Sequence, residues 1–265
     1  MKKSLKIISI ILLAVLCLTL ASCGKKKAEP EVTTVKVTVP EGYTVIQIAE
    51  LLEKKKVCKK DDFLALCNKV PEKYSSLFSG VSAEGKLFLM EGYLFPDTYE
   101  FFMGESPENA LSRFLENTEA KFGKDTTYED IVLASIIQAE CSDPNEMPKV
   151  SAVFHNRLRR PDMFPYIGSD VTRQYIEKNK SYIEEKGLDY SLLFRNYCTN
   201  DNYSGKIKGL PIGPVCNPGM EAINAAKHPA DNDALYFFTA PDGSFHYNHS
   251  NSDHSSEYQK LHGKA

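Results

Sequence analysis

The sequence contains no tryptophan and almost no net charge: 32 lysines and arginines stand against 35 aspartates and glutamates, for a formal charge of -3. Without tryptophan, any face that stacks on a ligand has to come from the 14 tyrosines and 14 phenylalanines. Without a basic excess there is no field to gather nucleic acid, and the short lysine clusters never grow into a patch, so nucleic acid is not an expected partner. No heptad or fixed-period repeat recurs, which sets aside coiled coils and solenoids. Long apolar runs are missing except for one near the N-terminus, which sets aside polytopic membrane proteins. The seven cysteines never form CxxC, so no metal site is expected. GxSxG, SxxK, HExxH and glycine-rich phosphate loops are also missing. Serine-hydrolase, penicillin-binding, zinc-protease and nucleotide-dependent chemistry therefore have no support, and no cofactor is expected.

What is present is ordinary globular composition, 42% hydrophobic and 25% charged over 265 residues, enough for a buried core and one or two domains. The first 22 residues have a basic start (Lys2, Lys3, Lys6), an apolar run from Ile7 to Ala21, and small residues before Cys23. That run is short of the ~20 residues a membrane span needs, so it reads as a cleaved export signal. Leu20-Ala21-Ser22-Cys23 resembles a bacterial lipobox, which implies a lipoprotein signal peptide over 1–22 and lipidation of Cys23. An uncleaved anchor would leave the same domain on the same side of the membrane. Residues 23–34 read as a lipid-proximal tether. The expected location is thus the extracytoplasmic face of the cell membrane, held there by lipid. Cys58, Cys67, Cys141, Cys198 and Cys216 are odd in number, and both free thiols and up to two disulfides remain open.

Along the folded part, Val35–Val39 alternates as a strand, and Thr44 with Gln47 forms a capping box before the apolar face Val45, Ile48, Ala49 and Leu52. With a short helix from Asp61 this makes a small accessory unit over 35–80. A larger domain over 85–260 begins with an aromatic-rich segment, Leu87–Phe102. Ser106, Pro107 and Gly123 then delimit one helix, and Thr127 with Asp130 starts another that reaches Glu140. Asp143, Pro144 and Glu146 announce a third, and residues 161–218 read as loop-rich. A last helix runs from about Pro218 to Lys227, followed by a hairpin across Pro241-Asp242-Gly243. His246, His249, Asp253 and His254 match no zinc spacing, so the tail reads as a solvated loop. The expected class is α+β, mainly helical with small peripheral strands.

Glu140 lies three, four and seven residues after Ile137, Ile136 and Leu133, which places its carboxyl on an apolar stripe near the helix C-terminus. Desolvation and the negative end of the helix dipole both favour the protonated form, which is what a general acid needs. The competing reading is a helix-end glutamate that reaches water or pairs with Lys149 or Arg157. A glycosidase normally needs two carboxyls. Glu91, Asp97 and Asp170 are candidates for the second, and spacing does not choose among them.

Five ordered blocks resemble the YceG-like endolytic murein transglycosylases. They are Glu91-Gly92-Tyr93-Leu94-Phe95-Pro96-Asp97-Thr98-Tyr99, Leu133 to Glu140, Val153-Phe154-His155-Asn156-Arg157-Leu158, Ser169-Asp170-Val171-Thr172, and Gly209 to Gly219. Residues 35–54 further resemble that family's LysM-like part. The resemblance implies a catalytic domain over 85–260 that cuts peptidoglycan glycan strands between MurNAc and GlcNAc and leaves 1,6-anhydro ends. It implies Glu140 as the catalytic residue and Glu91, Asp97, Asn156, Asp170, Thr172 and Asn217 as glycan-binding residues. It also implies peptidoglycan and cell-wall synthesis proteins as partners. The first acid of the family's motif is Gln138 here, and the segment before Asp170 carries Gly168. Two alternatives remain: a non-catalytic glycan-binding or scaffold lipoprotein, and a muramidase that activates water with Asp170 or Asp97.

Overall fold

In the computed structural model, which describes residues 33–200 and 207–263, the expected N-terminal strand forms. Its partner lies more than sixty residues away. Strand β1 (Thr34–Thr38) pairs antiparallel with β2 (Thr98–Phe102), in a register that sets Val37 opposite Tyr99. The inward positions Val37, Tyr99 and Phe101 are buried, so one face of this ribbon closes on the core. Sequence alternation foretells β1, whereas the aromatic richness of β2 hides its period. The expected signal peptide, Cys23, and the tether up to residue 32 lie outside the described residues.

Helix α1 (Val45–Lys54) carries the expected capping box at Thr44 and Gln47 and buries Val45, Ile46, Ile48, Ala49 and Leu52. A short helix α2 (Lys60–Leu64) packs on it. Two 3-10 turns over Glu72–Phe78 lead toward β2. Helix α3 (Pro107–Phe122) is capped by the Ser106 hydroxyl and ended by Gly123 at φ +68°. Helix α4 (Tyr128–Glu140) starts on the Thr127–Asp130 capping box. All residues from Ile131 to Ile137 are buried, so α4 is a central helix enclosed on all sides and not a surface helix with one apolar stripe. It packs against α5 (Met147–Leu158), α6 (Asp170–Lys178) and α9 (Met220–Lys227).

Two segments depart from expectation. The stretch read as loop-rich holds three helices: α6, α7 (Lys180–Glu185) and α8 (Tyr190–Tyr197), the last capped by Asp189. Two of them carry helical period, Val171, Tyr175 and Ile176 in α6 and Tyr190, Leu193, Phe194 and Tyr197 in α8, but each of the three spans only six to nine residues, a window too short to separate from the surrounding turns. The polar tail, read as a solvated loop, is helix α10 (Asn251–His262), with Ser250 accepting from the Asp253 amide. None of its residues is buried, which is why hydrophobic patterning gives no sign of it. Strands β3 (Tyr236–Thr239) and β4 (Phe245–Asn248) form the expected hairpin. The described residues from Thr34 onward form one compact unit, mainly helical with two small antiparallel ribbons. No described helix is long and apolar enough to cross a membrane. Cys58, Cys67, Cys141, Cys198 and Cys216 are all free thiols.

Candidate active site

Glu140 is the last residue of α4, and the chain turns extended at Cys141. Its side chain is half-buried and accepts a hydrogen bond at Oε1 from the Ser169 hydroxyl at 2.7 Å. Desolvation pushes its carboxyl above the ordinary glutamate range. The Ser169 hydrogen bond opposes that shift, the Asp170 charge adds to it, and the Arg157 charge opposes it. Burial wins, because one neutral hydrogen bond and one cation that also serves other partners do not replace the lost water.

Ser169 is held rigidly. Gly168, at φ +69°, makes the turn into α6 that a side-chain-bearing residue rarely adopts. A Cβ there would lie 3.2 Å from the Arg157 guanidinium. The Ser169 carbonyl accepts from the Thr172 hydroxyl at 2.8 Å, and Thr172 and Thr199 bond each other at 3.0 Å. Thr172 is wholly buried, so it braces Ser169 and presents no surface to a ligand. Arg157 donates from Nε to the Leu235 carbonyl at 2.7 Å and from Nη1 to the Ile167 carbonyl. Its guanidinium lies 5.6 Å from the Phe164 ring and 5.4 Å from the Tyr236 ring. Ser169 is not among the residues expected from sequence to serve the site; the Gly168-Ser169-Asp170 signature of a helix start is the signal that marks it.

Asp170 is the candidate second carboxyl that the structure brings toward Glu140. Its side chain is 56% exposed, lies 3.7 Å from Arg173, and accepts from Asn200 at 2.6 Å. A cavity of about 350 Å3 lies where α1, the last turn of α4 and α6 meet, lined by Thr44, Gln47, Ala139, Val171, Gln174 and Tyr175 among others. Ala139 and Val171 line it, whereas the Glu140 and Asp170 carboxyls are not among its walls.

The other expected glycan contacts are placed differently. Asp97 accepts the Thr98 amide at 2.7 Å and Asn117 at 3.1 Å, with Lys121 at 3.7 Å. It lines a separate groove with Arg113 and Glu116. The Thr98 amide, helped by Asn117 and Lys121, holds its carboxyl below the usual range. Asn156 is buried and donates to the carbonyls of Asn232 and Ala234 at 3.0 and 2.9 Å, which ties down the approach to β3. Glu91 and Asn217 expose no surface. Asn217 Nδ2 donates to Glu91 Oε1 at 3.0 Å. Their local chemistry is internal because both oxygens of Glu91 are occupied by protein donors. Gln138 accepts the Gly219 amide at 3.0 Å at the start of α9, a bond its amide oxygen makes without a charge. Among the described residues no group of three or more His, Cys, Asp or Glu is placed to hold a metal; His246 bonds Glu257 and His249 faces Asp233.

This geometry can hold a proton on Glu140, deliver it to an oxygen at the exposed edge of its carboxyl, and stabilise the resulting carboxylate through Ser169 and Arg157.

The model of the YceG-like family matches residues 18–260. The endolytic murein transglycosylase of Bacillus subtilis is 27% identical over 245 residues, covering 84% of this chain and 64% of that protein. The endolytic murein transglycosylase of Streptococcus pneumoniae is 27% identical over 254 residues, covering 85% of this chain and 44% of that protein. The chain thus spans less than two thirds of the length of the curated relatives it matches. A solved YceG-like protein of Listeria monocytogenes superposes with a TM-score of 0.65 at 25% identity, covering 84% of this chain and 75% of that one. Five ordered sequence blocks, a fold shared with a YceG-like protein and a family match over most of the sequence agree: the chain belongs to the YceG-like family.

Proposed function

We propose that this protein is a lytic transglycosylase that cuts peptidoglycan glycan strands internally, with Glu140 as both acid and base. The observation that carries the reading is the half-buried Glu140 carboxyl, raised by desolvation and held at one oxygen by Ser169. A protonated Glu140 gives its proton to the glycosidic oxygen between MurNAc and GlcNAc as the C1–O bond breaks. The MurNAc 6-hydroxyl attacks C1, and the Glu140 carboxylate takes the proton that hydroxyl loses. One carboxyl is used twice and no water is consumed, so the product ends in a 1,6-anhydro ring. The names of the Bacillus and Streptococcus relatives support the substrate class. On this reading the 35–80 region is LysM-like and helps to hold the polymer. Cys23 carries the lipid that keeps the enzyme on the outer face of the membrane, near the machinery that makes new strands.

Asp170, beside Glu140, favours one rival, a muramidase in which a second carboxylate activates water. Mass spectrometry of peptidoglycan incubated with the full chain, beside Glu140→Gln, separates them. The expected result is anhydro-ended fragments from the parent alone. Hydrated reducing ends would establish the muramidase, and no products from a folded parent would leave a glycan-binding scaffold.

A further inference from the structure

Glu91 is the most enclosed carboxyl among the described residues, with 0% exposure and no cation beside it. Oε1 accepts the Val45 amide at 3.0 Å and Asn217 Nδ2 at 3.0 Å, and Oε2 accepts the Tyr175 hydroxyl at 2.8 Å. The titratable groups that face it are Cys67, Tyr175, Tyr197 and Cys216, all neutral. Burying a carboxyl this way is costly, and an apolar side chain would fill the space without that cost. A fully satisfied buried network does something packing does not: it admits one arrangement of the elements it joins.

The elements joined here are those that build the site. Val45 is the first residue of α1, whose partial positive end meets the carboxyl. Tyr175 lies on α6, which begins just after Ser169, the donor to Glu140. Asn217 lies in the loop before α9 and also bonds the 42–43 turn, with its amide donating to the Tyr43 carbonyl and its carbonyl accepting from Gly42, both at 2.9 Å. That loop grips α4 as well: Val215 N–H donates to Ser135 Oγ at 3.0 Å, and Gly219 N–H to Gln138 Oε1 at 3.0 Å. Glu91 therefore reaches the C-terminal half of α4 by two routes, through Tyr175 and α6 to Ser169, and through Asn217 and its loop to Ser135 and Gln138. Thr44, Tyr175 and Cys216, each at or beside one of its partners, line the cavity between α1 and α6.

We propose that Glu91 is the positioning residue of this site: it clamps α1, α6 and the loop before α9 together and so fixes the Ser169–Glu140 hydrogen bond. It touches no substrate, and its role in catalysis rests on the transglycosylase reading.

The test follows the Glu140 carboxyl carbon by NMR in 13C-glutamate-labelled full chain, with its signal assigned by its loss in Glu140→Gln. Glu91→Leu fills the space but removes both oxygens, so it breaks the network in either protonation state, and Tyr175→Phe deletes the bond at Oε2 from the other side. Both variants should stay folded by circular dichroism and move the Glu140 titration upward, because the Ser169 bond that lowers it loosens. Release of anhydro ends should fall about tenfold, the rate equivalent of one hydrogen bond. Adding Ser169→Ala to either variant should cost little more, since both act through one contact. A folded variant with an unmoved Glu140 titration and effects that add to those of Ser169→Ala would overturn the proposal. If Glu91→Leu does not fold, Tyr175→Phe decides. A parent that makes no anhydro ends would sink the transglycosylase reading, while the titration still reports on the clamp.

Discussion

Ser169 reaches Glu140 across a sequence separation of 29 residues and donates its hydroxyl to one carboxylate oxygen at 2.7 Å. The contact joins the C-terminus of the central helix α4 to the turn that begins α6. It gives the site a donor that favours the carboxylate form of a group whose burial favours the acid.

That opposition makes Ser169→Ala informative. Removing the hydroxyl deletes a bond that lowers the Glu140 pKa, so the group holds its proton to higher pH. The alkaline limb of the pH–rate profile for anhydro-end formation should move upward. The maximal rate should fall about tenfold, because the carboxylate that must accept the sugar proton loses its donor. Initial rates on purified glycan strands from pH 5 to 9 check both.

Asp170→Asn should act in the opposite direction. The Asp170 charge raises the Glu140 pKa, so neutralising it should shift the alkaline limb downward while activity persists. Because Asp170 is more than half exposed, the shift should shrink as salt is added. Complete loss of activity with an unchanged fold would instead make Asp170 a second catalytic carboxyl.

Gly168→Ala places a side chain at φ +69°, with its Cβ 3.2 Å from Arg157. Thermal unfolding should show a loss of about 1–2 kcal/mol from the left-handed backbone alone. The Arg157 contact to Ile167 should be displaced as well.

Stability should also depend on Glu91. Burial raises its carboxyl from 4.5 to about 8 in the folded protein. Between those values the folded state holds a proton that the unfolded state has released, so stability from this group is complete below pH 4.5 and is lost as pH rises toward about 8. Melting temperatures measured from pH 5 to 9 should fall with pH in the parent and flatten in Glu91→Gln. A parent curve with no such decline would mean that Glu91 is ionised throughout.

Thr127→Ala tests the central helix. Its hydroxyl accepts the Asp130 amide in a capping box that starts α4. Its loss should cost about 1 kcal/mol in denaturant unfolding, with activity per folded molecule unchanged, because Glu140 lies at the far end of the helix.

Local chemistry is what sequence reading sees well. The capping boxes at Thr44 and Thr127, the Ser106-Pro107 start, the Gly123 stop and the hairpin at Gly243 all depend on residues within a few positions of each other, and all form as read. The single apolar stripe expected to carry Glu140 is instead a helix buried all round from Ile131 to Ile137, with Glu140 at its end. The helices α6 to α8 are too short, at six to nine residues, for their period to stand out from turns, and the exposed α10 buries nothing that would pattern it.

The sequence by itself determined the helical frame, the acid at the end of its most apolar helix, and membership of the family through five ordered blocks. Tertiary structure alone decided what each polar residue of those blocks does. Asp97 binds its own turn and Asn156 ties down a loop, while Glu91 and Asn217 close an internal network. Only Asp170, of the expected glycan contacts, stands both exposed and beside Glu140. The physical reason is that a polar side chain's role is set by which donors and how much water surround it. Those surroundings come from segments tens to more than a hundred residues away, whose meeting no local spacing encodes.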